Sequence, residues 1–117
     1  MPKTKTIPLK FGGYIQITQG RKNAKVRFDI WNSPFEVNHA FAEKVAEIFT
    51  KYAKPKGIDN FLVGKSFGAF VLPKKFAEEF AQQLKQLLED TSNLTELIEI
   101  YEVKGNENQR NNPRIKP

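Results

Sequence analysis

The residues best suited to chemistry in this chain are aromatic rings set among cations. From Lys25 to Trp31 the side chains alternate, Lys25, Arg27, Asp29 and Trp31 against Val26, Phe28 and Ile30. An extended strand here places two cations and an indole on one face and three apolar residues on the other. The preceding segment repeats the pattern, with Ile15 and Ile17 pointing one way and Tyr14, Gln16 and Thr18 the other. Cations of this kind meet phosphates and exposed rings accept unpaired bases, each stacked base being worth about 1–3 kcal/mol. Arg21, Lys22 and Lys25 form the densest positive cluster, at a hairpin loop over Gln19–Asn23, and alternation puts Lys10 with Thr6 and Pro8 on the outward side of the first strand. The expected nucleic-acid contacts are therefore Lys10, Tyr14, Gln16, Arg21, Lys22, Lys25, Arg27 and Trp31.

Other chemistries fail on inventory or spacing. There is no cysteine, so disulfides, thiolate metal sites and cysteine nucleophiles are excluded, and His39 is the only histidine. Gly64-Lys65-Ser66 has the end of a phosphate-binding loop, but Asp59 stands where that motif needs its first glycine, and the next segment has the pattern of a strand. Glu78-Glu79 and Glu89-Asp90 are adjacent pairs on or at the end of a helix, where neighbours point apart. No metal site, no cofactor and no enzymatic activity are expected.

The charge is unevenly placed. The chain of 117 residues carries 19 basic and 13 acidic side chains, a formal net charge of +6. Residues 1–34 hold seven basic groups against the single acid Asp29, and residues 104–117 hold four against Glu107. The stretch between them is acidic, with eight basic and eleven acidic groups. Such asymmetry points to a polyanionic partner. No apolar run is long enough for a signal peptide or a membrane span, so a soluble, cytoplasmic protein with no membrane partner is expected.

Positioning these residues falls to an α+β domain. Phe41, Val45, Ile48, Phe49 and Tyr52 make a helical stripe after Asn38, and Phe76, Phe80, Leu84, Leu87 and Leu88 make a second between Pro73 and Asp90. Strands are expected at residues 6–11, 14–18, 25–31, 35–37, 60–65, 68–72 and 96–103. A single domain over residues 1–104 is expected, followed by a disordered basic tail at 105–117. A shift of 35 positions pairs Phe35 with Phe70, Val37 with Leu72 and Phe41-Ala42-Glu43 with Phe76-Ala77-Glu78. The expected architecture is thus a mostly antiparallel sheet with two amphipathic helices packed on one face, built on a pseudo-repeat of strand-helix units.

Four strands running straight into a helix, with the last strand and helix recurring, resemble the PUR-repeat and Whirly-type single-stranded nucleic-acid-binding proteins. The closest local likeness is the run from Gly68-Ala69-Phe70-Val71-Leu72 through Pro73-Lys74-Lys75 to Phe76-Ala77-Glu78-Glu79-Phe80. The resemblance implies a curved sheet that binds single strands through Tyr14, Gln16, Lys25, Arg27 and Trp31, and repeats that pair through their helices, hence a homodimer. The second copy has only two strands before its helix, and a ferredoxin-like βαββαβ core with an extra N-terminal strand accounts for the same elements. The expected function is non-enzymatic binding of single-stranded DNA or RNA. The alternative is a small protein-interaction module, such as a phage or plasmid regulator, that presents the same face to an acidic protein.

Overall fold

The computed structural model describes residues 3–54 and 60–96. The expected tail at 105–117, and the expected strand at 96–103 apart from its first residue, lie outside the described residues. Strand β1 (Lys3–Pro8) turns back into β2 (Tyr14–Gln19), which turns back into β3 (Asn23–Asp29). The short β4 (Phe35–Val37) leads into helix α1 (His39–Ala53). Then follow β5 (Phe61–Val63), β6 (Phe67–Pro73), a 3-10 turn at Lys74–Phe76, helix α2 (Ala77–Leu88) and β7 (Leu94–Glu96).

The first turn depends on glycine. Gly12 and Gly13 both have positive φ, 110° and 89°, a region that L side chains rarely adopt. A Cβ on Gly13 would also run into the carbonyl oxygen of Asp29 on β3. Helix α1 starts where its sequence predicts, because the Asn38 side chain accepts a hydrogen bond from the Phe41 N–H at 2.8 Å. It buries Phe41, Val45, Phe49 and Tyr52, while α2 buries Phe80, Leu84 and Leu88. Phe76 and Leu87, at the margins of the predicted stripe, are only partly covered, and the small Ala77 and Ala81 are buried in their place.

The main sheet has five strands in the order β1-β2-β3-β6-β5, and every pairing in it is antiparallel. Both helices pack on the face formed by Ile15, Ile17, Val26, Phe28, Phe70 and Leu72. Phe28, Phe41, Phe49, Phe70 and Phe80 fill the space between, all under 2 % exposed. The Phe70 ring lies 5.0 Å from Phe80 and 5.8 Å from Phe49 between centroids, so β6 is the strand on which both helices close. Full burial of each such ring stabilises the fold by about 1.5–3 kcal/mol. The Tyr52 hydroxyl, set between the helices, donates to Glu79 at 2.9 Å and accepts from Gln83. Burial pushes this phenol above its ordinary range and the Glu79 carboxylate adds to the effect, so it stays a neutral donor.

The two strand-helix units share their pattern but not their place. Phe35 and Val37 are buried like Phe70 and Leu72, yet β4 pairs with β7 in a separate two-stranded ladder, whereas β6 is an inner strand of the main sheet. The three-residue β4 meets the β5–β6 hairpin at its end, where the Val37 N–H donates to the Lys65 carbonyl at 2.7 Å. Most of the ferredoxin-like arrangement is formed: β3, α1, β5, β6 and α2 follow in that order, and the strands lie β3-β6-β5 with antiparallel neighbours. The place beside β3 that such a core gives to its last strand is held by β2, and β7, which ends at Glu96, pairs with β4 instead.

Gly68 on β6 is required by packing. An added Cβ would enter the ring of Phe28, the residue paired with it across β3 and β6. Gly68→Ala is expected to lower the stability to unfolding by about 1–3 kcal/mol through overpacking. Urea titration should show an earlier midpoint with an unchanged slope, and a midpoint equal to that of the parent chain would show that the ring can move aside.

Candidate functional site

Both helices pack on one face of the five-stranded sheet, and among the described residues no helix covers the other. Pairing registers place the open-face residues in rows. Pro8, Tyr14, Asp29 and Phe67 form one row, Thr6, Gln16, Arg27, Ala69 and Leu62 the next, and Thr4, Thr18, Lys25 and Val71 the third. Four expected contacts, Tyr14, Gln16, Lys25 and Arg27, therefore share this surface, with Gln16 directly opposite Arg27.

Asp29 controls the cation and the chain direction. One carboxylate oxygen lies 3.4 Å from the Arg27 guanidinium, and the other accepts the Trp31 N–H at 3.1 Å. The ion pair is partly exposed, 46 % at Arg27 and 14 % at Asp29, and a pair so open to water contributes little to stability. Arg27 can thus be drawn to another anion at small cost. Lys25 has no carboxylate partner among the described residues.

Four expected contacts sit elsewhere. Trp31 does not continue the strand, because β3 ends at Asp29 and the Ile30 N–H goes to the Ser66 carbonyl at 2.7 Å. The indole is instead 72 % exposed in the turn beyond the sheet, at the Tyr14 end. Lys10 does not continue β1 either. Its N–H donates to the Glu89 carboxylate at 2.8 Å, which holds it against the C-terminal end of α2 on the covered side. Burial pushes the Glu89 carboxyl up, but the Lys85 ammonium and the Lys10 N–H outweigh this and hold it below the usual range. Arg21 and Lys22 lie in the β2–β3 hairpin as expected, at the end of the sheet opposite Tyr14.

The surface also has members that the sequence reading missed. Phe67, 41 % exposed, stands across from Asp29, and Leu62, 58 % exposed, ends the Arg27 row. The Phe67 ring lies over Gly64, where an added Cβ would come within 2.8 Å of it, so the ring is held across the hairpin. Tyr14 and Phe67 flank the same residue and stand about two strand spacings, roughly 10 Å, apart. The signal was present in the alternation of Phe67, Ala69 and Val71 with Gly68, Phe70 and Leu72. The segment Gly64-Lys65-Ser66 is the β5–β6 hairpin connection, so its resemblance to a phosphate-binding loop has no strand-to-helix context.

Among the described residues no group of three or more His, Cys, Asp or Glu side chains is placed to hold a metal ion, and no helix is long and apolar enough to cross a membrane. No protein-family model, no curated protein and no solved structure matches this chain.

Proposed function

We propose that the chain binds single-stranded DNA or RNA on the open face of its sheet and carries out no catalysis there. The observation that carries this reading is the juxtaposition, on a face that no helix among the described residues covers, of the rings of Tyr14 and Phe67 with the cations Lys25 and Arg27. Rings spaced across a basic sheet suit unpaired bases, whose planes are free to stack, while a duplex hides them. The resemblance to PUR-repeat and Whirly-type proteins points the same way.

The single Trp31 stands beside this face and serves as the reporter. Titration with an unstructured oligothymidylate at low salt is expected to quench its fluorescence, with an affinity that falls as salt rises from about 50 to 200 mM. A duplex of the same length should bind more weakly. Unchanged fluorescence and anisotropy at low salt would remove the proposal.

The apolar strip of Leu62, Ala69 and Val71 beside Arg27 favours a second reading, an acidic protein partner anchored on the same face. Purified protein that carries no salt-removable absorbance at 260 nm, and that ignores oligonucleotides, would favour this alternative.

A further inference from the structure

At the end of the sheet opposite Tyr14, three stretches distant in sequence converge. They are the start of β1 with Lys3 and Lys5, the β2–β3 hairpin with Gly20, Arg21 and Lys22, and the 3-10 turn that leads from Lys74 into α2. The hairpin and the turn are joined directly, since the Lys74 N–H donates to the Lys22 carbonyl at 3.1 Å. Between β1 and the start of α2 lies a cavity of about 800 Å³ lined by Lys3, Lys5, Gln19, Gly20, Lys74 and Glu78 among others. It sits at the edge of the helix-covered side, because Lys5 pairs with the buried Ile17 and shares its face.

The charges around this cavity do not cancel. Lys5 Nζ lies 3.1 Å from both carboxylate oxygens of Glu78, so these two neutralise each other. Glu78 is the only carboxylate in the lining, and Lys3 and Lys74 have no carboxylate partner among the described residues. Arg21 and Lys22 stand next to Gly20 on the adjoining hairpin. Lys74 and Lys75 also precede α2, whose positive dipole end disfavours cations. The local field is therefore positive from side chains and backbone alike, around a space of the size that small ligands occupy.

We propose that this cavity binds a phosphate-bearing anion, held between Lys3 and Lys74. The site is separate from the open sheet face and does not depend on the nucleic-acid reading. Two sources share the chemistry: a free polyphosphate, or the terminal phosphate of a strand that rounds the Arg21-Lys22 hairpin.

Isothermal titration with tripolyphosphate tests the site. The parent chain should bind one equivalent, and Lys3→Ala combined with Lys74→Ala should weaken binding by about tenfold or more. Glu78→Gln should strengthen it, because that change removes the one carboxylate in the lining and releases Lys5. Lys25→Ala with Arg27→Ala should leave it unchanged. Absence of binding at low salt, parental affinity in the double lysine variant, or no gain from Glu78→Gln would each overturn the site. All of these side chains are exposed, and an unchanged thermal midpoint confirms that each variant is folded. Comparison of 5′-phosphorylated with unphosphorylated oligothymidylate then separates the sources. A gain from the phosphate that disappears in the lysine variant assigns the site to a strand terminus, whereas tripolyphosphate binding with no such gain assigns it to a free polyphosphate.

Discussion

Replacing Lys25 and Arg27 together with alanine is expected to weaken oligothymidylate binding about tenfold to a hundredfold at low salt, the loss of two charge-assisted contacts. The diagnostic is the salt dependence rather than the affinity alone. Each phosphate neutralised on a single strand contributes about 0.7 to the slope of log K against log salt, so the double variant should lose about 1.4 from that slope. Asp29→Asn should act in the opposite direction. It removes the carboxylate that lies 3.4 Å from Arg27 while keeping an oxygen for the Trp31 N–H. The guanidinium is then fully available to a phosphate, and binding should tighten with an unchanged or steeper slope. A double variant that binds with the parental slope would show that the phosphates lie elsewhere on the molecule.

Replacing Tyr14 and Phe67 with alanine is expected to cost about 1–3 kcal/mol of binding for each ring that supports a base. In this case the salt slope should not move, because no charge is lost. The two experiments therefore divide the proposed interface into a backbone-neutralising part and a base-stacking part. Phe67→Ala has an internal control in Leu62→Ala, which removes an exposed apolar side chain one row away without removing a ring. Equal losses from Phe67→Ala and Leu62→Ala would favour an apolar protein-docking strip over stacking. Both side chains are exposed on the side away from the core, so their truncation should leave stability within about 0.5 kcal/mol of the parent.

Much of the local structure is legible in the sequence alone. The stripe from Phe41 to Tyr52 and the Asn38 cap specify α1, and strict alternation in residues 14–18 and 25–29 correctly separates inward Ile15, Ile17, Val26 and Phe28 from outward Tyr14, Gln16, Lys25 and Arg27. These assignments succeed because period and capping are properties of a few consecutive residues. The extrapolations to Lys10 and Trp31 failed for a related reason. Each continued a local period past the point where a distant or side-chain partner took the backbone N–H, Glu89 in one case and Asp29 in the other.

By itself, then, the sequence determined the α+β class, the two helices with their buried stripes, and the split of each strand into a core side and an outward side. Only the tertiary structure decided which outward sides meet. Placing β6 beside β3 brings Phe67, Ala69 and Val71 onto the surface of Tyr14 and Arg27, and sends the similar β4 to a ladder of its own. It likewise brings Lys74 to the edge where Lys3 and Lys5 stand. Alternation fixes direction within a strand, but pairing between segments some forty residues apart is set by how the aromatic rings of both helices close on the sheet, notably on Phe70.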